Sequence, residues 1–150
     1  MKNIQTDRPD LIIEKLKIWI NGRQFPDSAD YWDANWMNIN ARYDSVTSFV
    51  ETSGSIVHLS QIRSFLESSE KALQGHTQII ELPAIEPNIG LKLELDKLGH
   101  IKGELSITHD HLSEKHQYTF DMDQSYLPDL ISQCKAIFVK YPIKGEKSRK

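Results

Sequence analysis

Three histidines in one short segment have the clearest potential for metal chemistry. His109 and His111 flank Asp110, and His116 follows a few residues later. Alternate side chains on a strand point to the same side, so His109 and His111 could reach one metal ion. The pattern therefore leaves open a small metal-dependent hydrolase, although the sequence has no HExxH motif and no cysteine pair. The competing interpretation is a polar hairpin loop with solvated histidines.

Other catalytic chemistry has little support in the sequence. The single cysteine, Cys134, lies on the apolar stripe of a predicted helix, where a thiol is usually buried and unreactive. The chain contains no GxSxG, GxGxxG or P-loop sequence. We therefore expect no catalytic residue, no bound metal and no cofactor, and a small-ligand-binding domain remains a further alternative.

The segment from Asp27 to Trp36 is the least ordinary part of the chain, because it concentrates aromatic and acidic residues. Trp32 and Trp36 are typical of aromatic side chains that close the open end of a sheet, so we interpret them as structural. The neighbouring polar side chains could instead form a contact surface for a basic partner. These candidates are Asp27, Asp30, Tyr31 and Asp33.

Alternating apolar residues predict the elements that position these side chains. Ile89 to Leu95 and Ile101 to Ile107 alternate strictly around Gly99, which indicates a hairpin. Helical spacing predicts helices over 61–73, after a Ser60 N-cap, and over 127–141. Asn21-Gly22 and Gly54 indicate turns between further strands.

These elements add up to an α+β fold. We expect one twisted, mostly antiparallel sheet of about seven strands, open or half-closed, with two helices packed on its apolar face. A single domain is predicted over 1–142, with a frayed start over 1–10. Residues 143–150 are predicted to be a disordered basic tail whose deletion leaves folding unchanged.

Charge is distributed unevenly over the 150 residues, whose formal total is −3. Residues 1–139 hold thirteen basic and twenty acidic residues, whereas residues 140–150 hold five basic residues and one acidic residue. The body is thus −7, which argues against a nucleic-acid-binding protein. Outward carboxylates on the predicted hairpin, Glu94, Asp96 and Glu104, are further candidates for contact with a basic partner. One cysteine and no signal peptide predict a cytoplasmic protein.

The aromatic segment also carries a resemblance to a known family. Gly22 to Asp27, followed by Asp30-Tyr31-Trp32-Asp33 and Asn35-Trp36, resembles the DYWDGNWL region of WapI-type bacterial immunity proteins. Ala34 stands where that pattern has glycine, and Met37 where it has leucine. The order of strands and helices is also similar along most of the chain.

The resemblance implies a small, cytosolic, non-enzymatic protein. Such proteins protect a cell by binding the C-terminal domain of a WapA-like contact-dependent polymorphic toxin, often a nuclease. The resemblance implies no particular binding residue, because immunity surfaces differ with their toxins. It also leaves open the oligomeric state.

Overall fold

The computed structural model describes residues 8–146, which form eight strands, three α-helices and one 3₁₀ turn. Residues 1–7 and 147–150, which include most of the predicted frayed start and the end of the predicted tail, lie outside the described residues. The strands are β1 (Leu11–Ile13), β2 (Leu16–Arg23), β3 (Trp36–Asp44), β4 (Phe49–His58), β5 (Ile79–Leu82), β6 (Ile89–Leu95), β7 (His100–Ile107) and β8 (His116–Asp123). The helices are α1 (Tyr31–Ala34), α2 (Leu59–Leu73) and α3 (Leu127–Lys140), with the 3₁₀ turn at Gln124–Tyr126.

The first four strands form an antiparallel sheet in the order β1-β2-β3-β4, here called sheet A. Side chains alternate along β3, with Met37, Ile39 and Ala41 buried on one side. The predictions of turns at Gly22 and at Gly54 are wrong. Gly22 lies inside β2, beside a register shift, and Gly54 lies inside β4 opposite Ile39. Positive φ values at both glycines bend the strands instead of ending them.

The last four strands form a second antiparallel sheet in the order β5-β6-β7-β8, here called sheet B. Its central hairpin is confirmed, with Leu91 paired to Leu105 and Gly99 at a φ of 86° in the connecting turn. The alternation leaves one face of sheet B apolar and buried and the other face polar and exposed. This is the usual pattern of an antiparallel sheet with one face in water.

The predicted α+β class is therefore correct, but the single sheet of about seven strands and the half-closed alternative are wrong. Each sheet is a continuous series of hairpins, and the long helix α2 stands between them in the chain. Helix α2 packs on β5 and α3. After this helix the chain no longer pairs with sheet A, and β5 begins the separate sheet B. Alternation shows which side chains share a face, but it does not show which strands pair across a helix.

One hydrophobic core joins the two sheets and the two long helices. Tyr43 of sheet A packs against Tyr118 of sheet B with ring centroids 4.5 Å apart, and α3 also contacts β1. Helix α2 begins one residue after His58, which replaces the predicted Ser60 as its N-cap. None of the helices within residues 8–146 is long and apolar enough to cross a membrane.

Close contact between β7 and β8 requires a glycine in the core. Gly103 faces inward directly opposite Phe120, and a Cβ at this position would overlap the Phe120 ring. The aromatic side chain therefore occupies the space that any larger residue at position 103 needs.

We predict that Gly103→Ala lowers the free energy of unfolding by about 1–3 kcal/mol, because the added methyl group overpacks the core. Urea unfolding monitored by circular dichroism measures this change. Phe120→Leu opens space at the same point, so the double variant should be more stable than the sum of the two single losses predicts. Strictly additive losses would show that the two side chains do not compete for space.

Candidate functional site

The exposed side of sheet B carries a dense set of charged side chains, here called the acidic face. All of these side chains are solvent-exposed. The members are Glu81, Lys92, Glu94, Asp96, His100, Lys102, Glu104, Asp121 and Asp123. Six carboxylates against two lysines give this face a charge of −4 when His100 is neutral.

Strand register arranges these charges in ordered rows across the sheet. Glu94 lies opposite Lys102, and Lys102 lies opposite Asp121. One row further along, Lys92 lies between Glu81 and Glu104. Each lysine thus has a carboxylate on both sides, and the carboxylates outnumber the lysines in both rows.

A groove of about 810 Å³ opens at the end of this face where β6 turns into β7. Its lining includes Glu94, Asp121 and the ring of Tyr126, which is 57% exposed. Asp96 and Asp123 also line it, and their pKa values lie below the usual range. At Asp96 the backbone N–H groups of His100 and Leu98 donate to the carboxylate. At Asp123 the hydroxyl and the backbone N–H of Ser125 both donate to the carboxylate. Both side chains are therefore held ionised near neutral pH.

A second surface, here called the α1 corner, is built around the short helix α1. It comprises Asp27, Asp30, Tyr31, Trp32, Asp33, Asn35, Trp36 and His58. The Asp30 carboxylate accepts hydrogen bonds from the backbone N–H groups of Trp32 and Asp33, so it caps the helix. Asp27 and Asp33 are exposed.

The aromatic residues of the α1 corner surround the buried side chain of His58. Trp32 stacks on its ring at 4.7 Å, and Trp36 meets the same ring edge-on at 5.1 Å. Trp36 is buried, whereas Trp32 is 48% exposed. Sheet A therefore ends in an aromatic cluster that is open to solvent on the Trp32 side.

His58 is held as a neutral ring. Its Nε2 donates to the Trp32 carbonyl at 3.0 Å, and its Nδ1 accepts from the Ser60 backbone N–H at 3.2 Å. If Nδ1 were protonated, its hydrogen would point at the hydrogen of the Ser60 N–H, and this hydrogen bond would be lost. Burial lowers the pKa of His58, and the nearby Arg63 charge acts in the same direction.

Asn35 joins the α1 corner to the segment after α3. Its side chain is fully buried and uses all of its hydrogen-bonding capacity. The amide Nδ2 donates to the carbonyls of Tyr31 and Lys144, and Oδ1 accepts from the Lys144 N–H and the Arg23 guanidinium. Residues 143–146 of the predicted tail are therefore placed against α1, whereas the boundary at 142 stays a prediction.

The basic side chains at the α1 corner offset most of its acidic charge. Arg63 donates to the Tyr31 hydroxyl and forms an ion pair with Glu146. The Lys144 ammonium donates to the Pro26 carbonyl at 2.9 Å, beside Asp27. Arg23, Arg63 and Lys144 thus bring three positive charges to this corner, against four negative charges from its three aspartates and Glu146.

The histidines of the proposed metal site lie around the loop between β7 and β8. His109 and His111 are exposed, and His116 Nε2 lies 2.8 Å from a Glu114 carboxylate oxygen. Within residues 8–146, no group of three or more His, Cys, Asp or Glu side chains is arranged to hold a metal ion. Cys134 is buried as predicted, and burial raises the pKa of its thiol to about 12.

The structure thus divides the predicted contact residues between two surfaces. Glu94, Asp96 and Glu104 belong to the acidic face. The earlier part of the chain supplies the remaining candidates, Asp27, Asp30, Tyr31 and Asp33, which belong to the α1 corner.

Comparison with known protein families identifies the family of this chain, which the geometry alone does not. The family model of the immunity protein WapI-like family matches residues 11–142. The chain belongs to this family. The matched range includes both sheets and all three helices. No curated protein and no solved structure matches the chain.

Sequence reasoning on this WapI-like chain missed His58, Asn35 and the outward carboxylates of β8. The pattern His58-Leu59-Ser60-Gln61 could have indicated a helix start, because Gln61 Oε1 accepts from the His58 N–H in a capping arrangement. Asp121 and Asp123 alternate with Phe120 and Met122, so the same alternation that assigned Glu94 outward could have assigned them.

We predict that acidification destabilises the protein partly through His58. Above pH 6.5 the ring is neutral in both states, and below it the unfolded chain takes up a proton that the folded state resists. Stability should therefore fall as the pH falls from about 7 towards 5. Urea unfolding across this range should show a shallower pH dependence for His58→Gln than for wild type. The exposed His76→Gln is the matched control, and an unchanged slope in His58→Gln would contradict the assignment.

The contacts of residues 143–146 now predict a loss of stability on deletion, where the sequence alone predicts none. A chain that ends at Pro142 should be about 1–3 kcal/mol less stable than one that ends at Glu146, because the buried Asn35 amide loses two partners. Thermal and urea unfolding of both chains measure the difference. With Asn35→Ala in both chains the difference should shrink, and equal stability of the two original chains would show that the segment contributes nothing.

Proposed function

We propose that this chain is a non-enzymatic immunity protein that binds the cognate C-terminal toxin domain and neutralises it in the cytoplasm. Membership of the immunity protein WapI-like family over residues 11–142 is the observation that carries the proposal. The protein inhibits the toxin by remaining bound to it in a complex of fixed stoichiometry.

Electrostatics supports a toxin that acts on nucleic acid. A nuclease must present positive charge to the phosphate backbone of its substrate. The acidic body of this chain, and above all the −4 charge of the acidic face, complements such a surface. Opposite charges would speed association, and a bound immunity protein would block the path of the phosphates.

The exposed carboxylates of the α1 corner and of the acidic face are two alternative sets of proposed contacts. Asp27, Asp33, Glu94 and Glu104 project into solvent without a described hydrogen-bond partner that fixes them. Asp30, Asp96 and Tyr31 belong to the same two sets, although each has a structural role as a helix cap, a turn cap or an acceptor for Arg63.

Co-expression with the toxin domain encoded immediately upstream tests this function. We expect the wild-type chain to restore growth and to form a complex of fixed stoichiometry with an inactivated toxin domain in size-exclusion chromatography with light scattering. Affinity should fall by roughly tenfold or more between 50 and 300 mM salt, because charge pairs are screened.

The stoichiometry of inhibition separates binding from enzymatic neutralisation. In a toxin activity assay, inhibition should rise linearly and reach completion at the ratio of the complex. Complete inhibition at far lower ratios would indicate turnover and contradict the non-enzymatic proposal. Absence of both a complex and protection would contradict the immunity function itself.

A further inference from the structure

We propose that the acidic face, centred on the groove beside Tyr126, is the surface that docks the toxin, and that it receives an arginine-bearing cationic surface of that domain. The inference rests on the proposed function and assigns it to one of the two candidate surfaces. The α1 corner is then a structural element of the fold.

The charges of the acidic face are available to a partner. Within residues 8–146, the close contact between ionisable groups on this face is that of His100 Nδ1 with Asp96, at 3.4 Å, which is an ion pair only when His100 is protonated. Glu94, Asp121 and Glu104 form no ion pair with another described residue, although each lies in register beside a lysine. Their carboxylates therefore keep most of their capacity to accept hydrogen bonds from an incoming cation.

The α1 corner differs in both charge and engagement. Arg23, Arg63 and Lys144 bind backbone and side-chain groups of the corner. With the three aspartates and Glu146 they leave this corner a charge of −1, whereas the acidic face has −4. Asp30 is committed to the α1 cap, and Trp32 covers His58. A basic partner would gain less electrostatic attraction there than at the acidic face, because local positive charge offsets most of the carboxylates.

The groove supplies the shape and the aromatic surface that a flat charged sheet lacks. Tyr126 is mostly exposed on its rim, next to Asp123. Exposed tyrosines beside carboxylates suit arginine, because the guanidinium can stack on the ring while it donates two parallel hydrogen bonds. Lysine lacks the planar group that makes both contacts at once.

The dimensions of the face fit the centre of a protein–protein interface. At ordinary strand spacing, the four strands of sheet B span about 20 Å. At the ordinary rise per residue, β7 and β8 are each about 25 Å long. Such an area corresponds to the central part of a standard interface, which the surrounding loops would complete. Because the strand register fixes the backbone of every outward residue, docking would cost little ordering of the backbone.

Paired charge-removal variants test the assignment. Glu94→Gln with Asp121→Asn removes two charges from the acidic face and preserves the size of both side chains. Asp27→Asn with Asp33→Asn removes two charges from the α1 corner and is the matched control. Tyr126→Ala separately tests the aromatic part of the groove.

Calorimetric titration of each variant with the inactivated toxin domain gives the dissociation constant. We expect Glu94→Gln with Asp121→Asn to bind roughly tenfold more weakly or worse, and with a smaller salt dependence than wild type. Tyr126→Ala should also weaken binding by roughly tenfold, and the control pair should stay within about threefold of wild type. All positions are exposed, so unchanged melting curves should show that each variant folds.

The outcomes separate the two levels of the proposal. If wild type binds and the acidic-face variants bind equally well, the surface assignment is overturned while the immunity function stands. Greater loss in the control pair would assign docking to the α1 corner and would also overturn it. If wild type does not bind, the function fails and the inference fails with it. A wild-type dimer that Glu94→Gln with Asp121→Asn dissociates would assign the face to a second copy of the chain.

Discussion

Burial of one face of each sheet against a shared core is the constraint from which the rest of the structure follows. Apolar burial contributes roughly 25 cal/mol per Å², so both sheets must place their apolar faces inward. Helices α2 and α3 complete the same core, with Phe65 and Leu130 fully or almost fully buried. Within residues 8–146 no helix covers the opposite face of sheet B, whose exposed side chains must therefore be compatible with water. The candidate docking surface is thus a direct consequence of how the core is formed.

The polar groups at the end of sheet A fix the geometry that the apolar core alone would leave loose. Asn35 and His58 are both buried, and each finds partners for its donors and acceptors. Since an unsatisfied buried polar group costs about 1–3 kcal/mol, few alternative arrangements of α1 retain the same bonds. The aromatic residues of the α1 corner enclose this network: Trp36 and Trp32 shield the His58 ring from water. We infer that these two side chains serve the fold.

Local pattern predicted local structure well and failed where distant segments meet. The alternation of Leu91 and Leu93 with charged residues predicted both the hairpin and its exposed side, because period two follows from strand geometry alone. Gly54 was misread as a turn, since a glycine within a strand and a glycine between strands have the same local signal. Two of the four groups bonded to Asn35 belong to Lys144, 109 residues away, and no local pattern reports such a contact. Division of the contact candidates between two surfaces was likewise a matter of tertiary structure.

Because the side chains of the acidic face are exposed and do not form the core, such a protein can change its binding partner without a change of fold. Substitution of an exposed side chain on a sheet usually alters stability by less than about 0.5 kcal/mol, whereas a change at a buried network costs far more. Glu94, Glu104 and Asp121 contact neither the core nor the Asn35–His58 network, so they are free to vary within a constant scaffold. The lysines between them limit self-repulsion among the carboxylates. A change of the charge pattern on this face would therefore redirect binding while both sheets and the aromatic cluster remain unchanged.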